Sequence, residues 1–116
     1  MKDYREWIVW QRSMELVVSI YEATGKFPKH ETLALASQMQ RSAVSIPSNI
    51  AEGYARISKK DQEHFYRISF ASSRELETQL EISRRLNYIT EVVATRNNNL
   101  LTEVIKLLSR MVFHKY

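Results

Sequence analysis

Apolar residues recur along this chain at alternating steps of three and four, the spacing of one face of an α-helix. The first run spans residues 7 to 24, where Trp10, Met14, Val17, Ile20 and Tyr21 share a face. Leu16 and Val18 flank that stripe and widen it beyond one core-facing seam, which predicts a second contact surface. Gly25-Lys26-Phe27-Pro28 supplies the stop: glycine suits the left-handed C-terminal conformation, and proline can open a helix but not continue one. A second segment spans residues 29 to 56, marked by Leu33, Ala36, Met39, Ala43, Ile46, Ile50 and Gly53. Pro47 lies inside it and removes one backbone donor, at about 3 kcal/mol in an unbroken helix. The apolar phase survives the proline, which predicts a kinked continuous helix, with a true break at Ser45 to Ser48 as the alternative.

Ser58 and Asp61 have the spacing of a helix start, the side-chain oxygens serving free amides of the first turn. The segment they open continues to about Leu86, with Phe65, Ile68, Ser72, Leu76, Gln79, Ser83 and Leu86 in strict three-four alternation. Tyr66 and Phe70 point away from that seam, and large aromatics turned from a core predict self-association. Asn87 to Thr90 connects to a fourth segment, where Val93, Leu100, Val104, Leu107 and Met111 share a face and Leu101, Ile105, Leu108 and Val112 form a second stripe. Asn97-Asn98-Asn99 has poor helix propensity. Four long segments with short connectors predict an all-α, antiparallel up-down-up-down four-helix bundle, one domain over residues 1–116, with helix two kinked at Pro47. Tyr66, Phe70, Leu101, Ile105 and Leu108 are the expected contacts between copies.

Composition agrees with long helices, since 2 Gly and 2 Pro leave little for tight turns. There is no Cys, so disulfides and thiolate metal sites are excluded and a reducing, cytoplasmic compartment is expected. The first residues carry charges of both signs without the apolar run of a signal peptide, and no stretch is apolar enough to span a bilayer. Catalytic chemistry finds no support: His30, His64 and His114 are dispersed, inward Glu-x-x-His pairs are missing, and phosphate-binding glycine loops are absent. No enzyme activity, metal or cofactor is expected. Glu75, Glu77 and Glu81 project in different directions from the third segment and suit surface pairing, as do Glu63 with Arg67 and Glu81 with Arg85.

The basic residues are more suggestive. Net charge is +4, and 10 of the 17 basic residues are Arg, whose planar fork fits phosphate. Arg67, Arg74 and Arg85 fall within about 20° of one another on the outer face of the third helix. Arg56, Lys59 and Lys60 cluster at its start, and Arg41 and Arg84 complete a candidate surface for RNA or DNA backbone. The competing reading is a scaffold whose partners are proteins only.

Several stretches together carry a family resemblance: Val9-Trp10-Gln11, Ile20-Tyr21 through Phe27-Pro28, Ser37 to Gly53 with its Ser-Ile-Pro-Ser-Asn-Ile-Ala-Glu-Gly ending, and Ala71 to Leu80. The chain resembles, over nearly its whole length, the bacterial four-helix bundles known as 23S ribosomal RNA intervening-sequence proteins. That family is in turn similar to the accessory variability determinant of diversity-generating retroelements, a basic homopentamer that binds nucleic acid and a reverse transcriptase. The resemblance implies a four-helix protomer, a homopentamer with RNA, DNA or reverse transcriptase as partner, and no enzymatic activity. It gives the Ser45 to Gly53 segment a structural role, with Ser48 and Asn49 repairing the backbone around Pro47 and Glu52 pairing with an Arg.

Overall fold

The computed structural model describes residues 3–113, and His114 lies outside them. A 3-10 turn at Tyr4–Glu6 leads into α1 (Ile8–Thr24), and a second at Lys29–Glu31 precedes α2 (Leu35–Ala55). The longest helix, α3 (Lys59–Arg85), and then α4 (Glu91–Phe113) follow, with no strand among the described residues. The helices close a square, α1 on α2, α2 on α3, α3 on α4 and α4 on α1, without diagonal contact. Bonds from Ser42 to Glu75, from Ser45 to Ser72 and from Ser69 to the Ile46 carbonyl ascend α2 while descending α3, so these neighbours are antiparallel. This is the expected up-down-up-down bundle, 44 × 25 × 21 Å. No helix among the described residues is long and apolar enough to cross a membrane.

The buried seams run through Val9, Ser13, Leu16, Ile20 and Ala23 in α1, and Ala36, Met39, Ala43, Ile46 and Ile50 in α2. In α3 they run through Tyr66, Ser69, Ser73, Leu76, Leu80 and Ser83, and in α4 through Ala94, Asn97, Leu101, Val104 and Leu108. In α2 the expected face holds from Ala36 to Gly53. Elsewhere the expected seam holds in part, at Ile20 in α1, at Leu76, Gln79 and Ser83 in α3 and at Val104 in α4; the rest of it sits about one residue away, and Met14, Tyr21 and Leu86 are exposed instead of central. Small polar residues cause the displacement. Ser13 donates to the Trp10 carbonyl at 2.8 Å and Ser73 to that of Phe70 at 2.6 Å, and Ser83, already on the expected seam, donates to that of Gln79 at 2.9 Å. A hydroxyl satisfied within its own turn has the size of alanine and none of the desolvation cost of an unpaired polar group. Asn97 follows the same rule with one end of its amide, donating to the Val93 carbonyl at 2.9 Å, and the asparagine triplet is helical throughout.

Pro47 is buried inside α2, which runs unbroken through it, so the alternative of two helices does not occur. The side chain of Asn49 supports this stretch by donating to the Ser45 carbonyl at 2.8 Å and to the Ser45 hydroxyl at 3.0 Å. Ser48, expected to share that task, is exposed and makes no such bond. Glu52 pairs with Arg56 at 2.7 Å. Two residues before the end of α2, Gly53 faces Tyr66: a Cβ at this position would lie 2.6 Å from the tyrosine Cε1 and 3.1 Å from the Gln62 carbonyl. The missing side chain is what admits the Tyr66 ring to the core, where it meets Trp7 edge-on at 6.4 Å.

The ends depart from expectation in two places. Gly25 stays right-handed (φ −61°), and α1 closes through tighter bonds from Lys26 and Phe27 to the Ala23 and Thr24 carbonyls. Residues 29 to 34 do not join α2, and Leu33 is 92 % exposed. Instead the Glu31 carboxylate accepts the Leu35 amide at 3.3 Å and the Tyr88 hydroxyl at 2.8 Å, capping α2 while tying it to the α3–α4 connection. Those two bonds, Tyr88 first, hold the Glu31 carboxyl below its ordinary range. The start of α3 is as expected, with the Ser58 hydroxyl accepting the Asp61 amide at 3.1 Å. Its end is sealed by Asn87 in the left-handed region (φ 62°), with Tyr88 donating back to the Ser83 carbonyl.

Arg84 and Arg85 both grip Glu81, at 2.8 and 2.9 Å, and Arg84 reaches Glu91 of α4 at 3.5 Å. The Glu81 carboxyl is thereby lowered from 4.5 to about 2, by Arg84 foremost and then Arg85. A depressed carboxylate stabilises the fold fully above its ordinary value and loses that contribution as pH falls through the folded one. Stability measured by urea unfolding is expected to decline between pH 4.5 and about 2, and Glu81→Gln should flatten that part of the profile slightly, the site being exposed. Gly53→Ala should destabilise by about 1–3 kcal/mol in the same assay, because the buried tyrosine ring must move.

Candidate nucleic-acid interface

The eight basic residues singled out in the sequence separate into groups once their neighbours are known. Arg67, Arg74 and Arg85 lie on the outer face of α3, and all three are exposed. Lys60 joins them, since it precedes Arg67 by the same seven residues that separate Arg67 from Arg74. At about 1.5 Å per residue those three cations repeat roughly every 10 Å along the helix. Arg74 is shared between Glu77 at 3.0 Å and the face of Phe70, 5.3 Å from the ring centre. Arg84 and Arg85 are held by Glu81, which leaves them least free to meet a phosphate.

Lys59 and Lys60 are exposed and take part in none of the ion pairs among the described residues. Arg67 likewise has no carboxylate partner there: its guanidinium lies over the Phe113 ring at 5.6 Å, and the expected pair with Glu63 does not form. Arg56 sits over Phe65 at 4.6 Å while bonded to Glu52. Stacking of this kind leaves guanidinium N–H groups directed outward. Arg41 stands apart. It bonds the Ser37 hydroxyl at 2.8 Å and lines a groove between α1 and α2 with Tyr21, Gln40 and Asn49. Fifteen residues of α2, about 22 Å, separate it from Arg56. The structure therefore gathers Arg56, Lys59 and Lys60 at the α2–α3 corner, with Arg67 and Arg74 continuing the row along α3, and leaves Arg41 outside it.

The residues expected between copies need correction. Tyr66, Leu101, Ile105 and Leu108 are buried in the protomer's own core and present nothing to a partner. Phe70 is half-buried, edge-on to Phe113 at 5.1 Å. The apolar surface that does face outward lies between α1 and α4, where Met14, Val18 and Leu100 line one groove and Trp7, Ile8, Leu107 and Met111 another. Val18, noted in the sequence as lying beside the α1 stripe, is 57 % exposed. Among the described residues no group of three or more His, Asp or Glu side chains is arranged to hold a metal ion.

Comparison with other proteins agrees with this architecture. No curated protein sequence matches the chain. A crystal structure of a protein of unknown function from the S23 ribosomal protein family of Bacteroides thetaiotaomicron VPI-5482 superposes with a TM-score of 0.82 at 29% identity. The match covers 91% of this chain and 99% of that one. The sequence profile of the 23S rRNA-intervening sequence proteins matches residues 5–110. A bundle of this topology, matched along nearly all of its length, belongs to the 23S rRNA-intervening sequence protein family.

Proposed function

We propose that the protein is a non-catalytic, self-assembling helical bundle that holds RNA by its phosphate backbone at the α2–α3 corner and along the outer face of α3. The observation that supports this reading is the group of cations left without acidic partners among the described residues, Lys59 and Lys60 at that corner and Arg67 next along α3. Unpaired cations release counterions when they meet phosphate, whereas Arg84 and Arg85 would first have to leave Glu81. The family name ties such proteins to an intervening sequence of 23S rRNA, which favours RNA over DNA. Backbone contacts position a nucleic acid without reading its sequence. A few contacts per copy give weak binding, and several copies on one assembly raise it by avidity. The resemblance to retroelement accessory determinants points to five copies, with a reverse transcriptase as a further protein partner.

Lys60→Glu combined with Arg67→Glu is expected to weaken binding to structured RNA at least tenfold. The slope of log affinity against log salt should become shallower by roughly one for each phosphate no longer neutralised. Arg85→Glu, whose parent side chain is already engaged, should change binding much less. Undiminished binding with an unaltered salt slope in the double variant would overturn this corner as the RNA site, and absence of RNA binding by the unmodified chain would leave a protein-only scaffold as the reading. Light scattering on the unmodified chain tests the assembly itself.

A further inference from the structure

We infer that an unpaired nucleobase stacks on the guanidinium of Arg56, so that the α2–α3 corner holds single-stranded RNA in preference to duplex. This rests on the RNA reading above and deepens it, by naming the form of RNA and the side chain that selects it. Arg56 closes α2 in extended backbone (φ −78°, ψ 150°), and its main chain is held on both sides. Its amide donates to the Gly53 carbonyl at 3.1 Å, and its carbonyl accepts from the Gln62 side-chain amide at 3.0 Å. The side chain is held as well. Phe65 supports the guanidinium at 4.6 Å from the ring centre, while Glu52 takes one corner of the fork at 2.7 Å. His64 stands edge-on to the Phe65 ring at 5.2 Å and braces that ring in turn.

A guanidinium fixed in this way is a flat platform. One face lies on Phe65 and the side chain keeps 45% of its surface exposed, which leaves the opposite face open to a planar ligand. Among the described residues Glu52 is the one hydrogen-bond partner of the fork, so other N–H groups stay free at its rim. Lys59 and Lys60 follow within four residues, exposed and without acidic partners, placed to hold the phosphates that flank a bound base. Ile57, wholly exposed between Arg56 and Lys59, adds an apolar surface at the same turn. A nucleotide brings ring and phosphate together. Duplex RNA offers this corner phosphate alone, because its bases are stacked on one another and their faces are covered, whereas an unpaired base offers a face as well. Stacking accepts any base, so the preference concerns strandedness and not sequence. An ammonium would replace the charge of Arg56 but not its plane.

That last difference supplies the test. Binding is titrated at one salt concentration with three probes: an unstructured single-stranded RNA of about ten nucleotides, the same strand in a duplex, and an abasic strand of equal length. The unmodified chain should hold the intact single strand at least about fivefold more tightly than either of the others. Arg56→Lys keeps the charge and should lower the ratio of intact-strand to abasic-strand affinity by at least about fivefold. Phe65→Leu, which removes the support beneath the plane, should move that ratio in the same direction, with circular dichroism verifying the helicity of both variants. An unchanged ratio in Arg56→Lys, or a duplex bound as tightly as the single strand by the unmodified chain, overturns the stacking and leaves phosphate binding at the corner in place. If the unmodified chain binds none of the three probes, the RNA reading itself fails and this inference with it.

Discussion

The close approach of α2 and α3 is the constraint on which the rest of the bundle depends. Along their seam small side chains face one another: Ser42 bonds Glu75, Ser45 bonds Ser72, Ser69 bonds the Ile46 carbonyl, and Gly53 makes room for Tyr66. Each of these positions requires a short side chain on at least one helix, because a leucine there would hold the backbones apart. The seam also explains how a proline is carried inside α2. Pro47 removes a donor from the helix, and bonds from Asn49 and Ser69 to the carbonyls of Ser45 and Ile46 hold the backbone beside it on two sides. With α2 and α3 locked in register, the α2–α3 corner is fixed, and so is the position of every cation on it.

Charge is distributed unevenly over that scaffold, and local pairing decides which cations count. Most arginines of α3 are paired with a glutamate one turn away, an arrangement that favours the helix and quiets the surface field. Glu81 is the extreme case, a single carboxylate between two guanidinium groups with its own titration displaced to about 2. The lysines at the start of the helix form no such pair, and Arg67 leans on an aromatic ring instead. A net charge of +4 thus understates the corner and overstates the far end of α3.

The α2–α3 corner and the apolar grooves between α1 and α4 lie on different sides of the square, since α3 touches α4 and α2 but not α1. Weak backbone contacts from each copy of an assembly would act together on a single RNA.

The periodicity of apolar residues, the scarcity of glycine and proline and the Ser58 cap were enough to specify four antiparallel helices and most of their boundaries, because these depend on neighbours within a turn or two. The α2 face was legible for the same reason, its core positions being apolar or alanine. Elsewhere two overlapping three-four patterns were available, one through the larger apolar residues such as Phe65, Met14 and Val93, the other through Ser13, Ser69, Ser73 and Asn97. Periodicity favours the first. Packing selected the second, because hydroxyls bonded within their own helix are as easily buried as a methyl group and allow closer approach. That shift of about one residue carried Tyr66, Leu101, Ile105 and Leu108 into the core and turned Met14 outward, while Val18 stays beside the stripe as expected. Which basic residues are free was likewise undecided by spacing, since Glu63 and Glu81 stand at equivalent distances from an arginine and only Glu81 forms the pair. Local sequence settles what lies within one turn of a helix; the choice among faces and among partners belongs to the other three helices.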